Sequence, residues 1–319
     1  LLYNDLNVTS HLQPGKQVRV CNEDWKSFST FDKVAVMRGS VLAASTLRES
    51  DAVGLLQVLK RVDRSVTPEW VLQNVQCSDS KQRLVTPNGM NMIWKASCCY
   101  DALNCTDTAK TVQALTLEFD ALSLGLADNV DDVNRILPAL DDELVASLRS
   151  LPELRDLYVM VSSGTLLPQL ASLSKLEKLY IRHYCLRGTI PNNLVAGMPR
   201  LAQLGVLNVE RSVGAADPAG GLCGLSGTLP NMKLLGKPAN GQYSFVDLSF
   251  NQLTGQLPTG LLSLASDINL SHNRFSGSIP GIASLGNTSV QTPFGLALND
   301  NQLEVGDGAK DEYEMHVSA

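Results

Sequence analysis

The side chains able to do chemistry are few, and their spacing favours structural uses. Seven cysteines are present: Cys21, Cys77, Cys98, Cys99, Cys105, Cys185 and Cys223. Five of them fall in the first third, with Cys98, Cys99 and Cys105 tightly grouped. A zinc site needs C-x2-C pairs or histidines at ligand spacing, and the sequence has neither. Four N-x-[ST] sequons lie at Asn7, Asn104, Asn269 and Asn287. Sequons alone decide little, but together with the cysteine grouping they favour an oxidising, glycosylating compartment. The acidic stretch over 128–151 lacks the D-x-[DN]-x-[DN]-G spacing of a calcium loop, and acids at a helix N-terminus account for it better. No G-x-S-x-G, Gly-rich phosphate loop or H-E-x-x-H occurs. The sequence therefore offers no catalytic residue, no metal site and no cofactor site, and points away from an enzyme.

Composition sets the outer bounds. The 319 residues are 44% hydrophobic and 18% charged, enough to bury a substantial core. Net charge is -6 and the pI is near 5.3, with lysine and arginine scattered, so nucleic acid is not an expected partner. No stretch approaches the roughly 20 apolar residues that cross a bilayer. The opening LLYNDLNVTS is too short and polar for a signal peptide, so a leader is expected to be absent from this sequence.

Internal repetition is the strongest signal. The frame L-x-x-L-x-L-x-x-N-x-L-x-G-x-I-P fits Leu176, Leu179, Ile181, Tyr184, Leu186, Gly188, Ile190 and Pro191. It fits again at Val246, Leu248, Asn251, Leu253, Gly255, Leu257 and Pro258, and at Ile268, Leu270, Asn273, Phe275, Gly277, Ile279 and Pro280. A further copy reads Leu204, Leu207, Val209 and Ser212, then resumes at Leu225 after an inserted loop. Weaker copies begin at Leu115, Leu154 and Leu296. The L-x-L alternation puts both leucines on one side of a short strand. The Asn can bond backbone groups where the chain turns, Gly permits that turn, and Pro fixes the next segment. One rung cannot bury its leucines alone, so successive rungs must stack.

The L-x-G-x-[IL]-P ending resembles the plant-type extracellular leucine-rich-repeat family of receptor ectodomains and polygalacturonase-inhibiting proteins. Upstream, 51–60 resembles the first helix of that family's cap. Trp94 followed by Cys98-Cys99-Tyr100-Asp-Ala-Leu-Asn-Cys105 resembles its W…C-x-W-x-G-V-x-C signature, with Tyr100 for Trp and Ala102 for Gly. The resemblance covers roughly residues 51 to 304. It implies an α/β fold: a right-handed leucine-rich-repeat solenoid with a parallel concave sheet and an N-terminal disulfide-bearing cap. The expected organisation is an extension over 1–50, a cap over 51–110, the solenoid over 111–306 and an acidic tail over 307–319. The resemblance further implies a cap disulfide from Cys99 or Cys98 to Cys105, the other member of the adjacent pair reaching Cys77 or Cys21. Seven is odd, which leaves Cys21 or Cys77 free or intermolecular. Cys185 and Cys223 fall on adjacent rungs, about 5 Å apart along the ladder, and are expected to pin the insertion.

Aligning the rungs gives columns of side chains on the concave face. One reads Thr116, Tyr158, Tyr180, Asn208, Asp247, Asn269 and Ala297; another places Arg182 beside them; a third reads Phe119, Val161, His183, Arg211, Phe250, His272 and Asp300. His183 and His272 are three rungs apart, roughly 14 Å, too far to share a metal. Tyr158, Tyr180, Arg182, His183, Arg211 and Phe250 form an aromatic and cationic patch of the kind that anchors protein interfaces. The expected function is that of a secreted or cell-surface glycoprotein that binds another protein, or a glycan, at the concave face or the solenoid ends. The competing expectation is a structural subunit that self-assembles into a surface coat or filament.

Overall fold

Leucines at alternate positions should form strands with one apolar face, and the computed structural model shows them doing so rung after rung. It describes residues 49–75, 81–89, 91–97, 111–119, 137–208, 223–230, 244–260, 267–279 and 295–304. The parallel strands are β3 (Ala114–Phe119), β4 (Asp156–Thr165), β5 (Lys178–Arg187), β6 (Gln203–Asn208), β8 (Phe245–Asp247), β10 (Asp267–Asn269) and β12 (Gly295–Ala297). Leu115, Leu157, Leu179, Leu204, Val246 and Ile268 stack in register, each almost wholly buried. β7 (Ser226–Gly227), β9 (Gln252–Gly255), β11 (Arg274–Ser278) and β13 (Gln302–Glu304) form a second parallel sheet from the L-x-G segments. A leucine-rich-repeat solenoid is the result.

The N-terminal end is closed by structure of another kind. Helix α1 (Glu49–Val62) buries Leu55, Val58, Leu59 and Val62, the i, i+3, i+4, i+7 stripe of an amphipathic helix. Helix α2 (Pro68–Asn74) has Pro68 in its first turn and Thr67 as its cap, the Thr67 side chain accepting from the Trp70 N–H. Strands β1 (Gln82–Val85) and β2 (Asn91–Ser97) pair antiparallel, and β2 then runs antiparallel to β3, so one nine-stranded sheet continues from cap into solenoid. Trp94 lies wholly buried at that junction. Helix α3 (Asp142–Arg149) takes up the last part of the acidic stretch, with Asp141 accepting from the Leu144 N–H and Asp142 and Glu143 in its first turn. Arg61 of α1 pairs with Asp141 and Glu143.

Two kinds of rung are present. In the later ones the strand lasts three residues and the chain turns on an asparagine. Asn273 shows why: its Nδ2 donates to the carbonyls of Leu248, Leu270 and Ser271, and its Oδ1 accepts from the Leu253 N–H. Asn251 and Asn301 repeat the pattern one rung either side. The residue before each, Phe250, His272 or Asp300, has φ between 54° and 57°, a left-handed conformation that disfavours side chains. The buried hydrogen bonds of the asparagine offset that strain. β4 and β5 instead run on for ten residues each, and Tyr184 stands where the frame has Asn.

The register corrects the reading of β6. Leu204 pairs with Leu179 and Val206 with Ile181, three residues off the alignment that matched Leu207 to Leu179. Leu201-x-x-Leu204-x-Val206 and Leu204-x-x-Leu207-x-Val209 satisfy the same apolar pattern, and periodicity alone cannot choose between them. The structure chooses the first, because the Ala202 and Gln203 N–H groups both bond the Glu177 carbonyl, as those of Glu177 and Lys178 bond Arg155 one rung earlier. Cys185 and Cys223 form the expected disulfide, with their Cα atoms 4.6 Å apart. Cys21, Cys77, Cys98, Cys99, Cys105, Asn7, Asn104, Asn287 and Arg211 lie outside the described residues.

Candidate binding surface

With the register set, the central concave column reads Lys95, Thr116, Tyr158, Tyr180, Gly205, Asp247, Asn269 and Ala297. Gly205 takes the place expected for Asn208, which pairs with His183 instead and is buried. The change matters for Tyr180. A Cβ on Gly205 would lie 2.6 Å from Tyr180 Cδ1, so the phenol ring lies across the glycine, down on the sheet. Its hydroxyl donates to Gln203 Oε1 at 2.8 Å, fixing the ring from the far side. Tyr158 stacks on one flank with ring centroids 6.1 Å apart, and Phe245 sits on the other at 6.0 Å. Three rings thus form a stair across β4, β5 and β8. Burial pushes the Tyr180 hydroxyl up to about 12, with the Asp156 and Asp247 carboxylates adding to it, so the phenol stays a neutral donor at any physiological pH.

Charged groups frame the stair. Lys81 reaches over the Tyr158 ring, its Nζ 5.5 Å from the centroid, and bonds Glu118 at 2.8 Å. Arg182 Nη1 lies 3.4 Å from both Glu118 Oε1 and Tyr158 Oη. Lys178 bonds Asp156 at 3.1 Å. Burial raises Asp156 above the usual carboxylate range against the pull of Lys178, and its Oδ1 has no hydrogen-bond partner among the described residues. A shallow recess opens there, lined by Lys95, Asp156, Lys178, Tyr158 and Tyr180.

Of the six candidate residues, the structure gathers Tyr158, Tyr180 and Arg182. His183, expected on the concave face, is fully buried: strand alternation turns it inward, where its Nδ1 accepts the Leu186 N–H at 3.1 Å. Phe250 stacks on His272 at 4.0 Å in the left-handed column rather than joining the stair, and His272 Nδ1 lies 3.1 Å from Asp300. Asn269 is half-buried; its Nδ2 donates to Asp247 at 3.3 Å and its Oδ1 accepts from the Ser271 hydroxyl at 2.7 Å. The sequence reading missed Gly205, Phe245, Gln203 and the lysines Lys81, Lys95 and Lys178. The three-residue slip hid Gly205, and counting only solenoid strands left out the two cap lysines. Among the described residues no group of three His, Cys, Asp or Glu side chains could hold a metal ion. No described helix is long and apolar enough to cross a membrane.

Gly205→Ala is expected to turn the Tyr180 ring off the sheet and cost about 1–2 kcal/mol of stability through overpacking. Urea unfolding reads the cost, and a crystal structure of the variant reads the ring; an unmoved ring would refute the account of the stair.

No protein-family model matches the chain, and no curated protein matches it. Solved structures do. The leucine-rich-repeat ectodomain of the receptor kinase SOBIR1 from Arabidopsis thaliana is similar at 18% identity, covering 82% of this chain and 97% of that one, with a TM-score of 0.35. A plant ice-binding protein is similar at 18% identity over 81% and 80%, with a TM-score of 0.42. The plant peptide hormone receptor RGFR1, in complex with RGF2, is 24% identical over 50% of this chain, with a TM-score of 0.37. The matched part spans 22% of that receptor chain, and 23% and 20% of two further plant receptor chains. The fold assignment itself rests on the rung geometry above.

Proposed function

We propose that this chain is an extracellular recognition module that binds another protein through the concave face, with Tyr158, Tyr180 and Arg182 as anchors. The observation that carries this reading is the pinned Tyr180 ring, held between Gly205 below, Gln203 at its hydroxyl and Tyr158 and Phe245 on its flanks. An aromatic ordered before its partner arrives loses little entropy on binding, and Tyr and Arg are the residues that dominate interface energetics. The Cys185–Cys223 disulfide supports an oxidising, extracellular setting. The sequons at Asn7, Asn104 and Asn287 are the proposed glycan positions; Asn269 is a fourth, though in the folded chain its amide already serves Asp247 and Ser271.

A random-peptide display selection on the immobilised full chain tests the reading. Enriched peptides are expected to compete with one another and to bind Tyr180→Ala at least roughly tenfold more weakly, the loss of a hot-spot aromatic. They should bind Thr254→Ala, on the second sheet, as they bind the parent. Enriched peptides indifferent to Tyr180→Ala would place recognition elsewhere.

A further inference from the structure

The outermost strand of the long sheet has one side open. β1 ends the strand order at the cap, and beyond it no strand lies among the described residues. It pairs with β2, and the next backbone bond along the chain only closes the turn, from the Gly89 N–H to the Thr86 carbonyl. Alternate residues of an antiparallel pair turn their N–H and C=O groups away from the partner, so β1 presents a free row of donors and acceptors. Charge commonly blunts such an edge, but here the nearest lysine is engaged elsewhere. Lys81, just before the strand, reaches over the Tyr158 ring to Glu118. Arg83 and Val85 share the outward face, while Leu84 turns inward and joins the core cluster with Val71, Val75 and Met92. Arg83 is exposed, faces Ile93 across the ladder and has no ion pair among the described residues. Val85 is 54% exposed, and no other large hydrophobic side chain among the described residues is left so open.

We propose that β1 is a docking edge, at which the chain takes an extended acidic segment of a partner protein as a tenth strand of the sheet. The segment runs antiparallel to β1, the more stable pairing per residue. It sets a carboxylate opposite Arg83 and apolar side chains opposite Leu84 and Val85, and such cross-strand pairs are what stabilise a sheet. Main-chain bonds supply the attraction, and the Arg83 guanidinium and the Val85 side chain select the sequence. A second copy of this chain answers the edge less well. Any twofold pairing that keeps Leu84 on the core side sets Arg83 opposite its own copy or one diagonal step away, and like charges there are destabilising. The edge and the tyrosine stair are different surfaces, one recognising backbone groups and the other offering rings.

The test uses the full chain and fluorescence anisotropy, with a labelled peptide centred on Val-Val-Glu-Thr, which lies opposite Val85, Leu84, Arg83 and Gln82 in turn. This peptide is expected to bind, and its counterpart with Lys for Glu to bind roughly fivefold more weakly. Arg83→Glu should reverse that preference, while selected peptides that depend on Tyr180 should bind this variant as they bind the parent. Methylating backbone nitrogens of alternate peptide residues separates strand addition from charge attraction. Methyl groups on one alternate set should abolish binding, and on the other set, which faces away from β1, should leave it intact. Equal effects of the two sets overturn strand addition. Dimerisation of the parent in sedimentation, lost with Val85→Lys and accompanied by no peptide binding, assigns the edge to a second copy and overturns the acidic partner. Absence of both peptide binding and dimerisation makes β1 a closed edge and overturns the proposal outright.

Discussion

Alanine at Asn273 is expected to lower the free energy of unfolding by roughly 3–4 kcal/mol, more than any other single change proposed for this chain. The side chain is buried and satisfies four backbone groups across two rungs: the carbonyls of Leu248, Leu270 and Ser271 and the Leu253 N–H. Alanine strips the Leu253 N–H and the Ser271 carbonyl of this partner, while the Leu248 and Leu270 carbonyls keep only the amides of Asn251 and Asn301. A buried backbone group without a partner costs about 1–3 kcal/mol, and the remaining bonds of the turn recover only part of that. The loss also withdraws the compensation for His272, whose φ of 54° holds only while the turn is pinned. Urea unfolding of parent and variant gives the difference. A cost below about 1 kcal/mol would mean that the asparagine ladder is not what holds these turns.

The second large effect is a loss of stability in mild acid through His183. Its Nδ1 accepts a backbone N–H, so the ring proton of the neutral imidazole sits on Nε2, and the Asn251 side chain beside the ring offsets only part of the cost of burial. Burial holds the imidazole down at about 4, against an ordinary value near 6.5. Above pH ~6.5 the ring is neutral in folded and unfolded chains alike, and titration contributes nothing. As pH falls from there the unfolded chain takes the proton and the folded one refuses it, so stability drains away until about pH 4, where the folded ring also protonates. The full loss is about 3 kcal/mol. Asp156 and Asp247, raised by burial, act in the opposite sense at the low end of this window, since the folded chain protonates them first. Comparing parent with His183→Gln cancels them. Between about pH 7 and 4.5 the parent should lose roughly 2–3 kcal/mol more than the variant. Parallel pH profiles would rule out a neutral buried His183.

The same histidine shows where sequence reasoning runs out. The stacked rungs, the inward leucines of β4 and β5, the disulfide from Cys185 to Cys223 and the placing of acidic residues at a helix N-terminus were legible, because each follows from a local pattern with one physical solution. His183 was not. Its orientation depends on β5 continuing straight past the point where other rungs turn, and that follows from the missing asparagine at Tyr184. The repeat frame implies a turn there, which would bring the imidazole to the surface. Gly205 was hidden for a different reason: two overlapping L-x-x-L-x-L matches are equivalent to periodicity, and only the backbone bonds to Glu177 separate them. One slipped rung replaced a glycine with Asn208 beneath the Tyr180 ring. Tyr158, Tyr180 and Arg182 fall where the alignment places them because β4 and β5 pair without ambiguity.

The unequal rungs give the molecule a mechanical polarity. β4 and β5 are joined through nine residue pairs, β10 and β12 through three. In a stacked array each rung is steadied mainly by its neighbours, so resistance to opening tapers from the cap toward β12. A partner laid along the concave column would touch the stiff end and the yielding end together. Whatever binds there acts also as a splint, lending the firmness of the first rungs to the last.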